Sequence, residues 1–306
     1  MAQAVRFDEY GDADVLNVVE VPDVEPGPGQ VAVTVVAAGI NPGEGKIRGG
    51  ALHDRWPANF PSGQGSDFAG RIAAVGAGVG GVAVGDEVLG FTNDRASQAT
   101  RVVVPADQVT PKPAAVPWEV AGALFVAGTT AFAAVRAVDA GPGDTVGVSG
   151  AAGGVGYLVV QLLRARGARA IGIAGPANQE WLREKGFDAV EYGDGLAERL
   201  RAAAPGGLDA FIDTHGVGYV ELAIELGVKP DRIDTIADFA AVAKYGVKAE
   251  GNGAADTIDV LAELADLVAA GTLEVPIAAT YPLTEVRAAY RDLERGHTRG
   301  KIVLLP

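Results

Sequence analysis

Between Val148 and Leu163 the chain reads VSGAAGGVGYLVVQLL: a β-branched apolar piece, a run of small residues, then apolar residues at helical spacing. Glycines at 153 and 156, with Ala151 two places before the first, follow the spacing G-x-G-x-x-G with its first member replaced. In such a turn the middle glycine lets backbone approach a pyrophosphate, and the last lets helix and strand pack closely. The N-terminus of the following helix aims backbone N–H groups and the positive end of its dipole at the same point. Ala152, Gly153, Gly154 and Val155 are therefore the candidate phosphate donors, through their backbones. The bland alternative is a strand-to-helix turn rich in small residues, and Ala151 requires a backbone there that tolerates a Cβ.

At the end of the next apolar strand the chain reads IGIAGPANQEW, residues 171–181. A site for NAD would place Asp or Glu here to bind the ribose hydroxyls. Ala174 and Gly175 stand there instead, so no carboxylate repels a 2′-phosphate and NADPH is favoured over NADH. No Lys or Arg follows until Arg183, so the positive evidence for a phosphate is thin. Metal chemistry has even less support: there is no cysteine, and His53, His215 and His297 lie far apart in sequence.

The elements that must position these residues alternate. Thr145–Val148 reads as a strand and 155–166 as a helix, with Val155, Leu158, Val159, Leu162 and Leu163 on one face. Arg164 and Arg166 lie in its last turn, and Gly167 ends it. Strands at 170–173, 189–192, 208–213 and 232–236 alternate with helices at 179–185 and 197–203, which implies a parallel sheet covered on both faces. The first 115 residues are different: short β-branched runs at 31–36, 70–75, 87–91 and 100–104 separated by Gly, Pro and Asp. Helical spacing covers 117–138, 256–270 and 284–294, and a last strand covers 301–305.

Of the 306 residues, 48% are apolar and 21% charged, as in ordinary soluble domains. No stretch is long and apolar enough for a membrane helix, the start MAQAVRFDEYGD lacks the pattern of a secretory signal, and a cytoplasmic protein is expected. With 25 basic against 39 acidic residues the net charge is −14, a poor match to nucleic acid or an anionic membrane. Any anionic ligand must be held by locally placed donors.

The segments AAGINPGEGKIRGG (37–50), GSDFAGRIAAVGAGV (65–79), VGDEVLGF (84–91), AGTTAFAAV (127–135), SGAAGGVGYLVVQLL (149–163) and GHTRGKIVL (296–304) carry a further signal in their order. Together they resemble the zinc-independent quinone oxidoreductase branch of the medium-chain dehydrogenase/reductase superfamily, the zeta-crystallin-like proteins, over essentially the whole chain. In that branch the cofactor turn commonly reads AAGGVG, so Ala151 belongs to the pattern. The resemblance implies an α/β protein with a GroES-like β-barrel catalytic domain (1–118 and 271–306) and a Rossmann doubly wound domain binding NADPH (119–270). It also implies a homodimer. Zinc-dependent relatives have a cysteine at the place of Asn41 and a histidine at that of Ser66, and both are missing here.

The resemblance likewise assigns candidate residues, each with a plainer alternative. Asn41 could donate its amide to a substrate carbonyl or to the cofactor, or could stabilise a turn. Glu44 stands where the family often has Asp, and a solvated or structural role is expected; Asp67 is expected to cap or order a turn. Thr130 matches a threonine placed beside the nicotinamide or its phosphate, against a helix residue bonding its own backbone. Tyr192 matches a tyrosine lying against the adenosine 2′-phosphate, and Asn178 lies where NADPH-using relatives supply a basic residue. His215 lies on a loop resembling a nicotinamide-facing one, and the 236–238 stretch, with Ala237 at its centre, could bring backbone groups to the carboxamide. Trp56, Phe60, Phe91 and Phe125 could line an apolar acceptor pocket or belong to the core.

With no ligand set for a Lewis acid, alkoxide stabilisation is not available to the chain. The expected reaction is hydride transfer from NADPH to a quinone or an α,β-unsaturated carbonyl, whose own π-system delocalises the charge. The contrasting expectation is a cofactor-binding protein without turnover, crystallin-like or a redox-sensing partner.

Overall fold

The computed structural model describes residues 1–216 and 218–306. In chain order the strands begin with β1 (Ala2–Phe7), β2 (Asn17–Val21) and β3 (Gln30–Ile40), after which comes helix α1 (Pro42–Arg48). Then follow β4 (Ser62–Gly63), β5 (Asp67–Val75), β6 (Glu87–Phe91), β7 (Arg101–Pro105) and β8 (Val109–Pro111). Helices α2 (Trp118–Ala121) and α3 (Phe125–Ala137) lead to β9 (Thr145–Val148), α4 (Gly156–Ala165), β10 (Arg169–Ala174), α5 (Gln179–Glu184) and β11 (Asp188–Glu191). The alternation continues with α6 (Leu196–Ala203), β12 (Ala210–Asp213), α7 (Tyr219–Glu225), β13 (Ile233–Thr235) and α8 (Phe239–Tyr245). Last come α9 (Ile258–Ala269), β14 (Ile277–Pro282), α10 (Val286–Glu294) and β15 (Lys301–Leu305). Among the described residues no helix is long and apolar enough to cross a membrane.

The chain divides into two units, Met1–Val126 with Thr257–Ala270 and Val275–Pro306, and Ala127–Asp256 with Gly271–Glu274. The expected boundary at residue 118 thus moves to 126, and α9 joins the first unit, where it packs on β8. The helical stretch expected over 117–138 is interrupted because its backbone meets β3: Gly39 N–H donates to Gly122 O at 2.7 Å, and a Cβ on Gly122 would lie 2.5 Å from Ala37 O. Residues 271–274 return to the second unit because Gln161 on α4 brackets Glu274, accepting its N–H at 2.8 Å and donating to its O at 3.0 Å.

In the first unit a largely antiparallel sheet runs β14-β15-β3-β5-β6-β8, with β7 also paired to β3, and β2-β1-β4 forms a smaller sheet. Val31, Val33 and Val35 of β3 bury against Phe68, Ile72, Val88, Val102 and Val104. The period-2 pattern of the β-branched runs put these side chains on one face. The C-terminal segment closes a second core, in which Val286, Tyr290, Ile302 and Leu304 pack with Val5, Phe7, Leu16 and Ile40.

The second unit has the parallel sheet that the alternation predicts, ordered β11-β10-β9-β12-β13. The chain starts at central β9, winds outward to β11, then returns to the other side of β9. The switch point therefore lies between the C-terminal ends of β9 and β12, where open α/β sheets bind ligands. Ile171, Ile173, Phe211, Val220 and Ile233 form the core of this unit.

The turn after β9 explains the missing glycine. The left-handed residue is Gly150 (φ 61°), whereas Ala151 has no positive φ and donates its N–H to Ile173 O at 3.1 Å. The Ala151 side chain packs onto β10 where residue 172 is glycine: a Cβ there would lie 2.8 Å from Ala151 Cβ. Gly156 is indispensable, since a Cβ would stand 2.2 Å from Gly150 O.

One group in this sheet is poorly provided for. Asp234 of β13 is fully buried, its Oδ1 accepts from Glu250 N–H at 2.7 Å, and its Oδ2 has no partner among the described residues. Burial first, then the nearby Glu250 and Asp213 charges, push its pKa from 3.8 up to about 7.

Two outcomes are expected. Gly172→Ala destabilises by about 1–3 kcal/mol through overpacking, and adding Ala151→Gly recovers at least half of the loss in urea unfolding. An equal loss with or without the Ala151 methyl would locate the crowding elsewhere. For Asp234, the native state binds the proton more tightly than the unfolded chain, so stability falls as pH rises from about 4 to about 7, and the full penalty stands above 7. Asp234→Asn should therefore raise the unfolding free energy at pH 8 by about 1–3 kcal/mol and flatten the profile between those pH values. A variant no more stable at pH 8 than at pH 4, relative to wild type, contradicts this.

Candidate functional site

Five of the loops at the C-terminal edge of the parallel sheet hold the residues expected to meet a dinucleotide. Ala152 is buried, and Gly153, Gly154 and Val155 are half-buried at the opening of α4. Gly153 N–H turns inward to Gly150 O at 2.9 Å. In the first turn of α4 the Tyr157 and Val159 N–H groups are taken by Gly153 O and Val155 O at 3.0 Å each, and the ten-residue helix turns its positive dipole end toward this opening. A Cβ on Gly150 would approach Thr214 Oγ1 to 2.8 Å and His215 Cβ to 3.8 Å, and one on Gly216 would approach Ala237 Cβ to 3.6 Å. The structure thus brings the glycine turn, the 214–216 loop and the 236–238 loop together.

On the other side, Ala174 ends β10 with its side chain buried, and no carboxylate stands beside it in the loop. The Tyr192 ring lies across Gly175, where a Cβ would come within 3.1 Å of it, and the residue is 43% exposed. Gln179 closes the gap between the strand ends, donating to Ala174 O at 2.8 Å and Val190 O at 3.0 Å. Asn178 ends the short turn before α5, donating its N–H to Gly175 O at 3.0 Å. Arg183 binds Ala189 O at 3.1 Å and Gln179 Oε1 at 3.2 Å. Arg199 on α6, which the sequence did not single out, donates to the carbonyls of Glu191, Tyr192, Gly193 and Asp194 and so fixes the loop bearing Tyr192.

His215 is exposed, its ring edge-on to Tyr219 at 5.6 Å. Burial, followed by the Asp213 charge, raises the Tyr219 pKa. Thr130 is buried on α3, and its neighbour Thr129 accepts from Asn252 Nδ2 at 2.7 Å. These features fit a nicotinamide dinucleotide: a helix N-terminus, a glycine-walled turn and a loop after β10 without a carboxylate.

Asn41 belongs to the first unit, where it caps the start of α1, the turn-stabilising alternative, and its side-chain amide is engaged within the protein. Its Nδ2 donates to Asp67 Oδ2 at 2.6 Å and Glu44 Oε1 at 3.2 Å, while its Oδ1 accepts from Lys301 Nζ. Both amide hydrogens are therefore engaged inside the protein. Glu44 is buried rather than solvated: its Oε2 accepts from Asn41 N–H at 2.9 Å and from Tyr290 OH at 2.6 Å, and Gln98 and Gln64 in turn bond that hydroxyl. Asp67 caps the start of α3, accepting from Val126 N–H at 2.6 Å. Lys301 also donates to Ile40 O at 3.0 Å.

Burial outweighs attraction throughout this cluster. It raises the pKa values of Glu44 and Asp67 and lowers that of Lys301, although Lys301 opposes the shift at Asp67. Burial, with the Glu44 charge and hydrogen bond, also holds the Tyr290 phenol well above its usual value. A zinc ion does not fit here: the sequence contains no thiolate, the Asn41 oxygen already faces an amine, and a second cation would crowd Lys301. Among the described residues no group of three His, Cys, Asp or Glu side chains is placed to hold a metal. Phe91 and Phe125 are buried and stacked, centroids 4.0 Å apart, so they are core; Trp56 and Phe60 are exposed.

Comparison with known proteins agrees with this arrangement. Residues 27–114 match the family model described as alcohol dehydrogenase GroES-like domain, and residues 179–304 the one described as zinc-binding dehydrogenase. Quinone oxidoreductase 1 of Escherichia coli (strain K12) is 27% identical, the match covering 100% of both chains. The quinone oxidoreductase structure from Coxiella burnetii superposes with a TM-score of 0.88 at 29% identity, over 100% of this chain and 99% of the other. The Escherichia coli quinone oxidoreductase complexed with NADPH gives 0.88 at 26% identity, over 99% of this chain and 100% of the other. The chain belongs to the medium-chain dehydrogenase/reductase superfamily, in its quinone oxidoreductase branch.

Proposed function

We propose that this protein is an NADPH-dependent reductase of quinones or α,β-unsaturated carbonyls. The observation that carries the reading is the pair of strand ends in the second unit: a glycine turn opening α4 after β9, and a carboxylate-free Ala174–Gly175 overlain by Tyr192 after β10. The first offers a helix N-terminus to a pyrophosphate, and the loop after β10 places no carboxylate against a 2′-phosphate. The Escherichia coli relative crystallised with NADPH supports the same cofactor.

When bound, NADPH supplies the hydride. The protein's part is binding and orientation: the α4 opening holds the diphosphate, the 214–216 and 236–238 loops border the nicotinamide end, and Thr130 lies on the helix that the family resemblance places beside it. A quinone or enone needs no metal for this step, because the incoming charge spreads onto its own oxygen. Orientation and exclusion of side reactions then supply the acceleration. The proton that completes the product comes from water or a neighbouring hydroxyl.

The test is a screen of quinones and enones with NADPH and with NADH, following the absorbance of the reduced nicotinamide. NADPH should be oxidised in the presence of at least one acceptor, with kcat/KM about tenfold or more above that for NADH, a difference of about 1.4 kcal/mol. Tight binding without oxidation by any acceptor removes the enzyme reading, and a clear NADH preference removes the cofactor reading.

A further inference from the structure

Three of the loops at the cofactor edge meet on one buried carboxylate. Asp213, the last residue of β12, is fully buried. Its Oδ1 accepts from Ser149 Oγ at 2.5 Å and from the N–H groups of His215 and Gly216 at 3.0 Å each; its Oδ2 accepts from Thr235 Oγ1 at 2.7 Å. Both hydroxyls pass the connection onward. Ser149 Oγ accepts from Thr214 N–H at 2.9 Å, and Thr235 Oγ1 accepts from Ala237 N–H at 3.2 Å and Asp238 N–H at 3.0 Å.

A hydroxyl has one hydrogen and two lone pairs. With each hydrogen directed at Asp213, both oxygens must turn their lone pairs to the loop N–H groups. The carboxylate thereby sets the polarity of every link in the chain, and an all-acceptor group is the only kind that satisfies all four donors. An amide in its place would aim N–H at an oxygen already accepting backbone N–H groups, or leave a hydroxyl hydrogen or loop N–H without an acceptor.

We propose that Asp213 is a positioning residue for the nicotinamide cofactor, holding the glycine turn, the 214–216 loop and the 236–238 loop in one receptive geometry through Ser149 and Thr235. This rests on the reading of those loops as the cofactor site. Asp213 itself is buried behind them and acts by preorganisation, so its removal weakens binding without removing a contact to the ligand.

The experiment uses the full chain and NADPH titration by fluorescence, which needs no acceptor. Asp213→Asn, checked to be folded by circular dichroism, should raise the NADPH Kd about tenfold or more. Thr235→Val should weaken binding in the same direction, and Thr235→Ser, which restores the hydroxyl, should recover most of that loss. A purely structural role would lower the melting temperature of Asp213→Asn and leave the Kd of its folded fraction unchanged. If Asp213→Asn does not fold, the two Thr235 variants decide: equal affinity in both overturns the proposal. Unchanged affinity in folded Asp213→Asn overturns it while leaving the proposed function standing, whereas a wild-type chain that does not bind NADPH overturns both.

Discussion

A carboxylate withdrawn from water must be given donors, a cation or a proton, and this constraint organises both units. Glu44, Asp67, Asp213 and Asp234 are all buried. For the first three the protein supplies donors, and those donors come from segments far apart in sequence. Glu44 draws on Tyr290 and Gln98, Asp67 on Asn41 and Val126, and Asp213 on Ser149 and Thr235. Each buried charge thus fixes the mutual position of elements that hydrophobic packing alone would leave free to slide. Asp234 has an incomplete set, with Oδ2 unpartnered among the described residues, and burial foremost pushes its pKa up to about 7.

The same logic explains the C-terminal return. Strand β15 pairs with β3 from Ala38 to Ile40, and Lys301 at its start reaches Ile40 O and the Asn41 amide. Tyr290 on α10 reaches Glu44 on α1. Apolar burial of Ile302 and Leu304 supplies much of the driving force, but it does not select a register. The polar cluster does, because a one-residue slip of β15 would carry the Lys301 amine away from Ile40 O and the Asn41 amide oxygen.

Legibility in the sequence followed the range of the interaction. The alternation after residue 145 was readable because the period of a strand or helix is local, and β6, β9 and β15 match their apolar runs residue for residue. The glycine turn was readable for the same reason, though not the reason Ala151 is tolerated, which lies at Gly172 across the strand pair. Asn41 was picked out by position, but its amide partners sit at 44, 67 and 301, and no local pattern reveals that both hydrogens are engaged. Asp213 appeared in the sequence only as the residue before Thr214 and His215, since four donors converging on it from three segments leave no spacing to recognise. The interruption between α2 and α3 was hidden likewise, because it arises from backbone contact with β3.

The acidic composition then acquires a physical meaning at the cofactor edge. A chain of net charge −14 gives no long-range attraction to a dinucleotide phosphate, so the attraction has to be short-ranged and directional. In the proposed reading, the opening of α4 would meet that need with its N-terminal backbone and dipole. Near Tyr192 the arrangement is less direct. Arg199 places its charge beneath the loop and gives its donors to four backbone carbonyls there. The guanidinium therefore acts as a scaffold that fixes the loop bearing the Tyr192 ring. In the proposed reading, a 2′-phosphate would be accepted at this edge by the removal of repulsion and a pre-set tyrosine, with the basic residue that relatives supply replaced by Asn178. Affinity for the phosphate would then depend more on loop order than on charge pairing, which places the burden on the same loop architecture that the buried carboxylates maintain.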